Sequence, residues 1–347
     1  MKRKIALVVV LIFSLITVTF SGCSDTSYIA TVNGEKIPTE DYTLILMQYK
    51  AYAQQNLATL TSSDTATLAD LWEMDYTEGN KFGDMFNQNA ISMCITNYVI
   101  QQKFNELKLT LTDEDKASSD AQMKSDYESA GGEQAFKDYL IENGTSIDAY
   151  KRSLDQALYY NKLTQYIYGK DGEKEISEDA IKEYFSQNYV RIKHVLLKTS
   201  NDEGVLYTEE KIKSIEEKAN AILARAQAGE DFDQLSTDES EDPGSTSSQY
   251  PYGYIFTKDG GMIEEFETAA FDMKVGEFRL IQTSYGFHVM KKYDLFDDPK
   301  IYEGYRSTLF SALTVDDFYA TTTEWENAST IVKNDKALKK ITIQNMK

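Results

Sequence analysis

The chain has 347 residues, 41% hydrophobic and 27% charged, with a formal net charge of −20 at pH 7. So acidic a protein is a poor nucleic-acid binder, and its field keeps it soluble and off anionic lipid. Beyond Cys23 the only cysteine is Cys94, so no intrachain disulfide is expected.

Met1-Lys2-Arg3-Lys4 is a basic start, and Ile5 to Phe20 is an almost unbroken apolar run, short for a spanning helix. It ends in Phe20-Ser21-Gly22-Cys23, followed by Ser24-Asp25. This order resembles a bacterial lipobox, with Phe20 where Leu is usual. The resemblance implies a lipoprotein signal peptide at 1–22 and a lipidated Cys23. It also implies a membrane anchored through lipid on the extracytoplasmic face, since each buried CH₂ contributes about 0.8 kcal/mol. An uncleaved anchor would give the same side of the membrane. Without Lys2, Arg3 and Lys4 the remainder carries about −23.

Tyr28-Ile29-Ala30-Thr31-Val32 reads as a strand, Asn33-Gly34 as a turn, and Glu35-Lys36-Ile37 as a second strand. Thr39-Glu40-Asp41 starts a helix. The polar stretch 61–67 reads as a loop. A strong helix is predicted over 82–108, with Phe86, Ile91, Ile95, Val99 and Ile100 on one face. Cys94, in the same run, reads as core filling. Further helices fit 113–130, 133–143, 146–168 and 177–188, punctuated by Gly131-Gly132, Gly144 and Gly169 to Gly172. Tyr42, Tyr49, Tyr52, Tyr159, Tyr160, Tyr166 and Tyr168 lie on these helices. They fit equally a packed core and an adaptable apolar cleft with wet tips.

Both histidines fall in the next hundred residues, each in a short apolar strand: His194 in Arg191 to Lys198, His288 in Thr283 to Met290. Histidine can be a structural hydrogen-bonder, a metal ligand or an acid–base group. No Cys lies near either one and no metal-binding His/Glu spacing appears, so metal fits poorly. Between them come a long amphipathic helix over 208–228, a C-terminal cap at Gly229, a turn-rich loop Ser240 to Ser245, and a short helix over 263–271.

Six ordered stretches here, H-V-L-L-K, A-G-E-D-F, S-E-D-P-G-S, G-G-M-I-E-E-F-E-T-A-A-F, K-V-G-E-F and Y-G-F-H-V-M-K-K, resemble the parvulin family of peptidyl-prolyl cis–trans isomerases. The resemblance covers about Val190 to Asp294. It implies a four-stranded antiparallel sheet flanked by helices. It also implies a site with His194 and His288 side by side and linked through hydroxyls such as Thr283, Asp242 beside the twisting carbonyl, and a proline pocket of Met262, Phe266 and Tyr252. Where the family shows G-G-D-L-G, this chain has Gln249-Tyr250-Pro251-Tyr252-Gly253, with Tyr252 in place of Leu. Taken singly, Met262 and Phe266 also fit a helix's core face, and Asp242 before Pro243 fits a turn start.

Rotation about X–Pro crosses a barrier of roughly 20 kcal/mol but breaks no bond, so the chemistry calls for no cofactor or metal. The loop Thr199 to Gly204, with Asp202 and Glu203 and no cation, would repel a phosphate dianion. The opening of the chain resembles SurA/PrsA-type extracytoplasmic foldases. The implied fold class is α+β: a helical chaperone module from 23–189 and the C-terminal helix 295–347, with the parvulin domain 190–294 inserted. A helix is expected over 299–323 and a short basic end over 334–340. The implied activity is a membrane-anchored foldase that isomerises X–Pro bonds in unfolded or partly folded exported polypeptides. Two other readings compete: a catalytically weak parvulin-like chaperone, and a solute-binding lipoprotein, against which the long helical stretch argues.

Overall fold

A computed structural model describes residues 25–346; the predicted signal peptide 1–22 and Cys23 lie outside the described residues. Among the described residues nine strands run in chain order: β1 Tyr28–Val32, β2 Glu35–Pro38, β3 Asp75–Thr77, β4 Asn80–Lys81, β5 Tyr189–Lys198, β6 Tyr254–Thr257, β7 Phe278–Thr283, β8 Gly286–Tyr293 and β9 Ile331–Lys333. The chain divides into two compact units, one drawn from Met1–Lys162 and Thr321–Lys347, the other spanning Leu163–Ala320.

In the first unit, Asn33 (φ 51°) and Gly34 (φ 87°) form the tight turn that joins β1 to β2, as an Asn-Gly pair between strands requires. Strand β9 pairs antiparallel with the other edge of β1, giving the order β2-β1-β9. The expected basic end is the helix Asp335–Lys340, and the strand before it was not expected. The helix Phe82–Glu106 is the spine, burying Phe86, Ile91, Cys94, Ile95 and Val99. These pack against Ile29, Ile37, Tyr42 and Trp72, with Ala337 and Ile343 from the C-terminal segment. Two sequence-distant stretches thus share one core.

The predicted helices appear as Asp113–Ser129, Glu133–Glu142, Ile147–Tyr168 and Glu178–Asn188, and the last long helix, Pro299–Ala328, runs past its expected end at Thr323. The tyrosines divide between the two readings. Tyr42 and Tyr168 are buried, whereas Tyr52, Tyr160 and Tyr166 are exposed. Tyr160 joins Tyr98, Tyr150 and Met93 around a pocket of about 560 Å³, whose wall also carries Asn97 and Gln48.

The second unit holds the predicted antiparallel sheet, in the order β6-β5-β8-β7. Side chains alternate across it. Val195, Leu197, Phe287 and Val289 form one face, covered by Ala219, Ile222 and Ala226 of the helix Glu209–Gln227. Thr208 caps that helix by accepting from the Lys211 N–H. Ile192, Phe256 and Met290 form the other face, covered by Phe266 and Ala270 of the helix Glu264–Asp272. Period-two alternation puts His194 and His288 on this second face. The unit's core also runs beyond the span 190–294. Phe185, fully buried, stacks on Tyr305 at 5.4 Å and packs on Tyr189 and Phe296.

Candidate active site

The site is built on the central pair of strands. β5 pairs with β6 only as far as Ile192. Beyond that point its free edge is satisfied by the loop Ser240 to Ser245, which substitutes for a neighbouring strand. The Leu196 N–H donates to Ser240 Oγ at 3.0 Å, and the Glu241 N–H donates to the Leu196 carbonyl at 2.8 Å. The hydroxyls of Ser236 and Ser245 donate to the His194 carbonyl. The S-E-D-P-G-S sequence is therefore a backbone clamp, and it delivers Asp242 beside His194.

Asp242 starts the turn that the sequence allows and also reaches the first histidine. Its Oδ1 accepts the Gly244 N–H at 3.1 Å and caps the turn begun by Pro243. Its Oδ2 lies 2.8 Å from His194 Nε2 and accepts the Tyr254 hydroxyl at 2.7 Å. Burial pushes the carboxyl up, but the bonds from His194, Tyr254 and the Gly244 N–H outweigh it and hold Asp242 well below the usual carboxylate range.

The histidines meet directly: His194 Nδ1 and His288 Nδ1 are 3.0 Å apart, and Thr283 Oγ1 lies 2.9 Å from His288 Nε2. Thr283 thus stands at the far nitrogen of His288. The expected hydroxyl bridge between the rings is replaced by a bond between the rings themselves, which lie nearly coplanar, 24° apart, and meet edge to edge. Burial, with the nearby His194, pushes His288 down to about 3. The ionised Asp242 fixes the proton positions. His194 Nε2–H donates to it, so His194 Nδ1 accepts from His288 Nδ1–H, and His288 Nε2 accepts from Thr283. The Tyr285 N–H, donating to Thr283 Oγ1 at 3.1 Å, anchors the end of the row. Every polar atom in the row is then paired.

Phe266, buried, turns its ring edge-on to both imidazoles, 5.1 Å from His194 and 5.4 Å from His288. Met262 packs on the same cluster. Phe266 belongs to the core that backs the histidines, and Met262, half-buried, lies against it. Tyr252 is held elsewhere. Its carbonyl accepts Arg191 Nε–H at 2.7 Å, and its ring centroid lies 5.8 Å from the guanidinium. Arg191 is buried and needs such acceptors; Asp297 and the Asp294 carbonyl supply the others. Gly253, at φ 82°, breaks the alternation before β6 begins, so Tyr252 and Tyr254 part company. A Cβ on Gly253 would lie 2.6 Å from the Ile192 carbonyl oxygen, so only glycine fits this position without a shift of β5.

Tyr254 was missed. It lies one residue past the stretch Gln249 to Gly253, and period two would have put it on the histidine face. A pocket of about 280 Å³ opens beside it, lined by His194, Lys193, Ser245, Tyr250, Gly253 and Tyr254.

Residues 179–294 match the PPIC-type PPIase domain family, and residues 1–164 match the SurA-like N-terminal domain. The foldase protein PrsA of Caldanaerobacter subterraneus subsp. tengcongensis is 27% identical over 308 residues, covering 84% of this chain and 82% of that one. The foldase protein PrsA of Geobacillus kaustophilus is 34% identical over 123 residues, 34% of this chain and 37% of its own. The crystal structure of peptidylprolyl isomerase PrsA from Bacillus cereus covers 77% of this chain and 95% of its own, at 24% identity and a TM-score of 0.31. The chain is a parvulin-type peptidyl-prolyl isomerase that carries a SurA-like N-terminal domain.

Proposed function

We propose that this protein is a lipid-anchored extracytoplasmic foldase that isomerises X–Pro bonds in exported polypeptides, with Asp242, His194, His288 and Thr283 as its working row. The observation that carries this reading is the continuous hydrogen-bonded series from Asp242 through both histidines to Thr283. A planar amide draws negative charge onto its carbonyl oxygen; a twisted amide keeps less of it. A fixed carboxylate beside that oxygen disfavours the planar form and lowers the barrier to rotation, since the twisted state feels less repulsion. The histidines transfer no proton in this scheme. They hold Asp242 ionised and aimed, and Phe266 and Met262 provide the apolar backing against which a proline ring rests.

The first unit would hold the unfolded client. Support comes from its exposed Tyr160 and Met93 around the pocket of about 560 Å³, where apolar walls and side-chain amides can meet any polypeptide. Anchoring rests on the residues before the described part of the chain. Among the described residues no helix is long and apolar enough to cross a membrane; the reading of Cys23 as the attachment point rests on the lipobox-like order Phe20-Ser21-Gly22-Cys23. Cys23→Ser should release the protein from membranes or leave the leader uncleaved; an acylated, processed mutant would contradict this. For the catalytic half, His288→Ala should cut turnover of a proline tetrapeptide while suppression of client aggregation survives. Equal catalysis in mutant and wild type would favour a chaperone in which the row is only structural.

A further inference from the structure

We propose that Tyr254 is a positioning residue for the isomerase reaction: its hydroxyl locks the Asp242 carboxylate in place, and Gly244 is the residue that makes room for it. The inference rests on the reading of Asp242 as the group beside the substrate carbonyl.

Three donors hold Asp242, and they come from three segments. His194 of β5 and the hydroxyl of Tyr254 of β6 share Oδ2, while the Gly244 N–H takes Oδ1. Two donors on one oxygen and a third on the other fix the plane of the carboxylate as well as its position. Without Tyr254, the carboxylate could rotate about the axis set by the remaining two bonds. Tyr254 itself is rigidly placed. Its backbone is paired with Ile192 of β5, two residues before His194. Its ring packs on Tyr250 at 4.6 Å and meets His194 edge-on at 5.5 Å. A strand-borne phenol wedged between two rings is a better locator than any loop side chain.

The opposing wall shows the same design. A Cβ built on Gly244 would lie 1.6 Å from the Tyr254 hydroxyl oxygen and 2.7 Å from Cζ. Every residue other than glycine at 244 therefore displaces the phenol from Asp242. Position 244, two residues after the working carboxylate, is tied to position 254 by volume. The ionisable groups that face Asp242 are His194 from β5 and Tyr254 from β6, with His288 of β8 behind His194. Burial and the neighbouring Asp242 push the Tyr254 hydroxyl up, so it stays a donor throughout the working range.

The test is a set of full-length variants assayed on a proline tetrapeptide. Tyr254→Phe keeps the ring and removes the hydroxyl; kcat should fall about tenfold, as expected for one lost hydrogen bond to a charged group, with KM within about twofold. Gly244→Ala should give a similar loss with Tyr254 intact. Asp242→Ala should lose activity, and adding Tyr254→Phe to it should cost nothing more, because the hydroxyl acts only through the carboxylate. The acid limb of the Tyr254→Phe profile should move to higher pH, since Asp242 has lost a donor; a purely structural ring would leave that limb in place. Full activity in Tyr254→Phe, or losses that multiply in the double variant, would overturn the inference while leaving Asp242 in its role. An active Asp242→Ala would remove the reading of the site, and the role of Tyr254 with it.

Discussion

His194 and His288 touch nitrogen to nitrogen, 3.0 Å apart, although neither is the other's partner in strand register. His194 pairs with Met290 and His288 with Leu196. They are diagonal neighbours on one face of the β5–β8 ladder, the spacing at which long or flat side chains still meet. The relationship follows from the ladder register and the period-two alternation, and it leaves both rings buried.

The first prediction follows from that burial. His288 is pushed down to about 3, so its imidazole should stay neutral from pH 8 to pH 5. With two histidines in the chain, nitrogen NMR resolves each. One ring should show no titration across that range; two rings titrating near the ordinary value of 6.5 would contradict the described packing. The sign for stability is also fixed. Above pH 6.5 folded and unfolded states are both neutral at this residue. As pH falls from 6.5 toward about 3, the unfolded chain takes up a proton that the folded chain refuses. Stability should then fall by up to about 1.4 kcal/mol per pH unit, and His288→Gln should flatten that slope in denaturant titrations.

Two glycines should respond to alanine with opposite signs. Gly286 sits at φ 144°, and a Cβ there would lie 2.1 Å from the Leu197 carbonyl oxygen. Gly286→Ala should destabilise the unit by more than about 2 kcal/mol. Gly304, inside the helix Pro299–Ala328, has nothing within 4 Å of such a Cβ. Gly304→Ala should stabilise by about 0.5–1 kcal/mol through helix propensity. Thermal melts of the two variants should move in opposite directions; equal shifts would contradict the backbone described for Gly286.

The aromatic cluster around Phe185 sets the working boundary of the catalytic unit. Phe185 precedes residue 190, and Phe296 and Tyr305 follow residue 294. A fragment spanning 178–308 should be more stable in urea than 190–294 by about 3 kcal/mol, the cost of removing one large buried aromatic. Equal midpoints would show that the cluster contributes nothing to this fold.

Much of this architecture is legible in the residues. Alternation in Arg191 to Lys198 puts His194 and Leu196 together on one side of a strand, and Gly229 marks the helix end where it is found. What stays hidden is long-range pairing. Ile331-Val332-Lys333 is too short to read as a strand, and its partner, β1, lies some three hundred residues away. At the site, the family resemblance groups Asp242, His194 and Thr283, and the structure brings them into one hydrogen-bonded row. The resemblance cannot say which hydroxyl reaches which nitrogen, so Thr283 was expected between the rings and not at their end. Tyr252 illustrates a related limit. A substituted motif position inherits its expected place from the motif, whereas here the acceptors demanded by buried Arg191 and the left-handed Gly253 determine where it points.

The central claim is that catalysis depends on the negative charge of Asp242 and not on its shape. Asp242→Asn tests it most directly, because the amide oxygen can still accept from His194 and Tyr254, giving up only the Gly244 N–H bond, while the charge is gone. In a proline tetrapeptide assay at pH 7, Asp242→Asn should lower kcat/KM by about ten- to a hundredfold, as much as Asp242→Ala does. An Asn variant that retains wild-type turnover would contradict the account.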